Sequence, residues 1–204
     1  MSVESLFTLF SAMVLLAIVP GPAVFAVIAR SFSSGTLSGA YLTAGIIFGD
    51  YVFIVLALFG LSTLAEVMGS TFFVIKYLSA AYLMWLGYKL LRTKASSIDI
   101  ESSKDASLTS NFLSGLLITL GNPKAILFYV GFFPAFINIG DVNLTDTGLI
   151  MLTATLAFGS VNIGYTLLAV RARQTFKSAN ASKVINKTAG TIMVTTGAIV
   201  AVRT

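Results

Sequence analysis

Of the 204 residues in this chain, 56% are hydrophobic and only 10% are charged, whereas a soluble domain carries about 25% charged residues. Cysteine and histidine are both absent, which excludes disulfides, thiol chemistry, histidine-based metal sites and imidazole acid–base catalysis. The formal charge is +5, but the basic residues lie between apolar runs rather than along one face, so the expected partner is the lipid bilayer and not nucleic acid.

A membrane helix needs about 20 mostly apolar residues. Six segments meet that need, at about 5–29, 38–63, 71–91, 112–137, 147–170 and 184–202. The first has Glu4 where a signal peptide would be basic, and five further spans follow it, so it is expected to stay in the membrane. It carries Pro20-Gly21-Pro22-Ala23. Proline removes a backbone donor and clashes with the preceding turn, so this helix must kink or unwind there.

The second segment holds Asp50 among Ile46, Ile47, Phe53 and Ile54. A charge at that depth costs about 2.5–3.5 kcal/mol, which sets Asp50 against protein rather than lipid. It is either a functional acid, binding an ammonium or loading and unloading a proton, or a structural acid paired with another helix. Gly45 and Gly49, one turn apart, let a second helix approach closely. In the third segment Tyr77, Tyr82, Trp85 and Tyr88 read as packing or interfacial aromatics, and Arg30 and Arg92 as anchors at helix ends.

The polar stretch Thr93–Ser110 then divides the chain into two groups of three helices. The fourth segment repeats the interruption of the first, as Gly121-Asn122-Pro123-Lys124-Ala125. Lys124 is the second ionisable group deep within a span, too far from the ends to snorkel easily. It either holds a substrate carboxylate or pairs with Asp50. Irregular backbone at membrane depth is tolerated where it is buried or lines water, so Pro20, Gly21, Pro22, Asn122 and Pro123 are expected to line a cavity.

Leu42-Thr43-Ala44-x-x-x-Phe48-Gly49 recurs as Leu152-Thr153-Ala154-x-x-x-Phe158-Gly159, a shift of 110 that also carries Val74-Ile75 onto Val184-Ile185 and Gly87 onto Gly197. The same shift makes Ser160 the mate of Asp50, with Asn162 close by as a second polar candidate for the path. Three spans is an odd number, so the second copy enters the membrane from the opposite side. The expectation is an all-α membrane protein of six transmembrane helices, built as two inverted three-helix repeats with helices 1 and 4 interrupted by proline. It forms one transmembrane domain over 1–204: repeat 1 at about 1–92, a loop at about 93–111, and repeat 2 at about 112–204.

With six spans, one side receives Arg30, Lys89, Arg92, Lys94, Lys104, Arg171, Arg173, Lys177 and Lys183, and the other only Lys76 and Arg203. Glu4, Glu66, Asp141 and Asp146 also fall on that other side. Basic loops stay in the cytoplasm, so the 93–111 loop is expected there and both termini in the periplasm.

Pro-Gly-Pro in the first helix, Asp50 in the second, and Asn122-Pro123-Lys124-Ala125 followed by Leu127-Phe128 and Phe133-Pro134-x-Phe136 resemble the LysE/RhtB family of bacterial amino-acid exporters, along the whole chain. Ala135 stands where family members often carry glutamine. The resemblance implies multi-pass insertion in the inner membrane and efflux of amino acids or close derivatives, driven by the proton gradient. One carboxylate and one ammonium near the midplane complement a zwitterion, Asp50 for its amine and Lys124 for its carboxylate. No other Asp or Glu lies deep in a span, which argues for a neutral amino acid such as threonine, homoserine or leucine. Export of a basic amino acid, or of another small metabolite or ion, is the alternative. The expected substrate-binding set is Asp50, Lys124, Asn122, Gly21, Pro22, Pro123, Ser160 and Asn162, with Asp50 coupling transport to protons. No metal, cofactor or enzymatic activity is expected, and homo-oligomerisation is left open.

Overall fold

A computed structural model describes residues 1–59, 70–92, 107–129, 133, 136–137, 141–175 and 179–202. The helices are α1 (Val3–Ile18), α2 (Pro22–Phe59), α3 (Ser70–Arg92), α4 (Leu108–Leu120), α5 (Pro123–Leu127), α6 (Leu144–Thr175) and α7 (Ala179–Val202). Glu66, Lys94, Lys104, Pro134, Ala135, Lys177, Arg203 and most of the polar stretch that begins at Thr93 lie outside the described residues.

The distribution of side chains is the inverse of a soluble protein's. Phe7 is 70% exposed and Leu127 65%, while Asp50, Asn111, Asn122, Asn162 and Thr166 are buried. Water would reverse that arrangement; hydrocarbon favours it, because packing and polar contacts rather than apolar burial join helices in lipid. Leu144–Arg173 is long and apolar enough to cross a bilayer, whereas Val3–Ile18 and Leu108–Leu120 are apolar but shorter; Pro22–Leu58 has the length and hydropathy too, but is divided at Gly35. At 16 residues, α1 covers about 24 Å of a hydrocarbon core about 30 Å thick.

Residues 30–37, expected between spans, are helical on both sides of Gly35. Gly35 itself has φ 86° and ψ −177°, a conformation that residues with a Cβ rarely adopt. In a straight helix Ser31 and Gly39 would be about 12 Å apart, yet a Cβ on Gly39 would lie 2.1 Å from Ser31 Oγ. The chain doubles back at Gly35, and α2 consists of two arms.

Close contacts give the helix directions. The second arm of α2 runs parallel to α4: Gly115 would touch Leu42 O, Gly45 would touch Phe112 O, and Gly49 would touch Thr119 if each carried a Cβ. That arm runs antiparallel to α6, where Tyr51 shares a 2.5 Å hydrogen bond with Thr155 and Ile47 lies against Gly159. By contrast α1 runs parallel to α6, since the Met1 amino group pairs with Asp146 at 2.5 Å and Ile18 O accepts from Tyr165 at the other end. Helices α3 and α7 are antiparallel, Gly87 lying against Gly190 and Val194, and Gly197 against Ala80 and Met84. Adding 110 to the α3 residues of the first contact, and removing it from the α7 residues, yields the second contact.

Candidate functional site

Helix α1 stops at Ile18, and Val19 turns extended at φ −69° and ψ 113°. The chain resumes as a helix at Pro22, where the missing N–H removes a donor that would have been unpaired anyway. The last carbonyls of a helix have no partner within it. Here they find partners in other helices. Lys124 Nζ donates to Leu16 O at 2.5 Å and also to Val19 O, and Tyr165 Oη donates to Ile18 O at 2.7 Å.

At the second irregular stretch, α4 ends with Gly121, whose N–H returns to Leu117 O at 3.1 Å. Asn122 is extended, and its Oδ1 accepts the Lys124 N–H at 3.1 Å, with Pro123 opening α5. This is an N-cap built from the local sequence.

Between the two breaks lies a small cavity of about 50 Å³, room for a few waters. Gly21, Asp50, Asn122, Lys124 and Asn162 line it together. Pro22 and Pro123 start the helices that flank it without being part of its lining. Ser160 is exposed, and its hydroxyl donates within its own helix to Ala157 O at 3.2 Å. Lys124 lines the cavity but turns its ammonium to the end of α1 rather than into an ion pair with Asp50.

Asp50 is 3% exposed. Its Oδ2 is buried without a hydrogen-bond partner among the described residues, and the same is true of Thr119 Oγ1, Tyr129 Oη and Asn162 Oδ1. All four residues line the one cavity, with Tyr129 directly beside the Asp50 carboxyl. Asn162 is held by its Nδ2, which donates to Phe158 O at 2.9 Å. Buried polar atoms are nearly always paired, and each one left unpaired costs about 1–3 kcal/mol. The Tyr129 hydroxyl stands beside the Asp50 carboxyl as a donor to it. The remaining carboxylate, amide and Thr119 oxygens around one small space form a receptor for a compact group with several N–H donors.

Thr119 and Tyr129 belong to this receptor and are not foreseeable from hydropathy, because both sit in apolar runs. The one signal is spacing: Tyr129 follows Ala125 by four residues, on one helical face, and both line the cavity.

Residues 14–204 match the family model described as LysE type translocator. The chain is 38% identical over 194 residues to a protein of Synechocystis sp. described as an uncharacterized membrane protein, covering 95% of this chain and 94% of that one. It is 37% identical over 153 residues to the leucine efflux protein of Klebsiella pneumoniae, covering 74% of this chain and 71% of the relative. A leucine efflux protein of Enterobacter sp. is 36% identical over 140 residues, 68% of this chain and 66% of that one. No solved structure matches the chain.

Proposed function

The chain belongs to the LysE-type translocator family, membrane transporters rather than enzymes, and from that premise we propose that it exports neutral amino acids, leucine foremost, by proton antiport through the Asp50 cavity. The observation that carries this reading is the cluster of buried, unpaired oxygens on Asp50, Thr119 and Asn162 around one cavity, with the Tyr129 hydroxyl beside the Asp50 carboxyl. A substrate ammonium brings three N–H donors to the oxygens of Asp50, Thr119 and Asn162. The leucine efflux relatives support leucine as the first substrate to test.

In this reading the protein sits in the bacterial inner membrane as six spans in two inverted repeats, with basic loops in the cytoplasm and both termini in the periplasm. The parallel and antiparallel pairs described above support six alternating spans. The mirrored contacts of Gly87 and Gly197 are what a two-fold axis across the α3–α7 pair would produce. Where the two broken helices meet is where such transporters hold substrate.

Transport then proceeds by exchange of donors. The substrate amine takes the Asp50 carboxylate, and its carboxylate draws the Lys124 ammonium off the α1 carbonyls. When substrate leaves, a proton replaces the amine on Asp50 and neutralises it for the return step. Asp50→Asn keeps the shape but cannot titrate. In proteoliposomes it is expected to abolish leucine accumulation driven by an imposed pH gradient, while exchange at zero gradient survives more weakly. If Asp50→Asn still concentrates leucine under a pH gradient alone, Asp50 is not the coupling group.

The hydrogen bonds of Lys124 to Leu16 and Val19 favour a second reading of that residue alone, as a structural cap on the end of α1. Substrate amides, which lack the carboxylate, separate the two roles.

A further inference from the structure

A second and larger cavity, about 610 Å³, opens between α2, α3, α4 and α7. Arg30, read from sequence as an interfacial anchor, lines it and is only half-exposed. Its Nε donates to Asn111 Oδ1 at 2.6 Å. That bond sets the plane of the guanidinium, whose terminal amino groups form the edge that reads a carboxylate bidentately. Asn111 is 2% exposed, and its Nδ2 is a buried donor without a partner among the described residues. Ser107, Thr109 and Ser110, from the N-cap and first turn of α4, bring the positive end of that helix to the same wall. Lys89 adds a further cation above the Trp85 ring, 4.5 Å from its centre. Among the described residues no acidic side chain is in the lining.

Leu42, Leu86, Leu90, Leu117 and Met193 make an apolar part of the wall, beside Ser33 and the Tyr82 hydroxyl, which donates to Ser114 Oγ at 2.7 Å. The packed cluster that includes Val27, Ile46, Ile118 and Met193 contributes to the linings of both cavities. A ligand in the larger cavity is thus a few apolar side chains away from Asp50.

Resting on the exporter reading, we propose that this cavity is an entry site which selects amino acids by their carboxylate, through Arg30, and by an uncharged apolar side chain, through the leucine-lined wall. It acts before the Asp50 site and has the opposite charge preference. The substrate carboxylate is captured first, and the ammonium is recognised one step deeper.

The chain has a single tryptophan, and Trp85 lines this cavity, so its fluorescence reports occupancy. The test uses the full-length protein in nanodiscs of phosphatidylcholine alone, titrated with leucine and with leucinamide. Leucine is expected to change Trp85 emission saturably, and Arg30→Gln to weaken that titration at least tenfold. Leucinamide should bind wild type at least tenfold more weakly than leucine and be unaffected by Arg30→Gln. Asn111→Asp keeps the hydrogen bond and sets an internal carboxylate against Arg30, so it should weaken leucine similarly even if Arg30→Gln does not fold.

No response to leucine, or an equal response in wild type, Arg30→Gln and Asn111→Asp, overturns the entry site. So does a signal that appears only when phosphatidylglycerol is added, which assigns the cavity to a lipid headgroup. An Arg30-dependent leucine titration in a protein that moves no leucine overturns the exporter reading and leaves the binding site standing.

Discussion

The two irregular stretches at the centre of this molecule occupy corresponding places in the sequence and are held in opposite ways. The second is self-sufficient: Gly121 returns its N–H to Leu117, and Asn122 caps the helix that Pro123 begins. The first owns no polar side chain between Val19 and Pro22. Its carbonyls are held by Lys124 from the second stretch and by Tyr165 from α6. One break is a fixed local structure, and the other is a structure on loan from its neighbours. In a transporter that asymmetry has a use, because a ligand that recruits Lys124 also releases the end of α1.

Removing the shared cation should break the comparison most severely. Lys124→Met leaves two carbonyls without their donor, at about 1–3 kcal/mol each. Leucine efflux from proteoliposomes is expected to fall more than tenfold, with the apparent melting temperature in detergent lowered by several degrees. If Lys124 also holds the substrate carboxylate, the same variant raises KM for leucine far more than for leucinamide. Equal losses for both substrates leave Lys124 a cap only.

A smaller effect is expected at the self-capped break. Asn122→Ala removes one N-cap, which costs about 0.5–2 kcal/mol, and Asn122→Asp or Asn122→Ser should recover most of it. A melting temperature unchanged in Asn122→Ala would mean that the second break is not held locally. Tyr165→Phe deletes a single hydrogen bond to Ile18 and should cost about 0.5–1.5 kcal/mol. In the double variant with Lys124→Met the losses should be non-additive, because both groups hold the same turn. Strict additivity, measured by thermal unfolding of all four proteins, would show that the end of α1 does not respond as one unit.

The difference between the breaks also marks how far sequence reading reached. Pro20, Pro22 and Pro123 announce irregular backbone wherever they fall in an apolar run, since the lost donor and the ring clash are properties of the residue itself. The cap at Asn122 is legible for the same reason, being complete within three residues. Lys124 reads only as a cation at depth, because whether it meets Asp50, a substrate or Leu16 O depends on how α1 and α5 are placed. The loop expected at 30–37 turned out to be two helical arms around Gly35, where one residue's positive φ makes the reversal.

Membrane residence follows from the sequence by itself, as do the place of Asp50 and Lys124 within apolar runs and the likeness to the translocator family. Each rests on quantities that add along the chain or attach to single residues: the cost of a buried charge, the missing N–H of proline, and the short supply of polar surface. Tertiary structure alone decided which way each side chain faces. Ser160 and Asn162 are equally polar and two residues apart, but two residues turn a helix through about 200°. Asn162 therefore stands with Phe158 in the cavity wall while Ser160 points outward. Arg30 was turned from an anchor into the wall of a second cavity by the position of Asn111, 81 residues away. Hydropathy is blind to rotation about a helix axis, and that rotation is set only when the neighbouring helices pack.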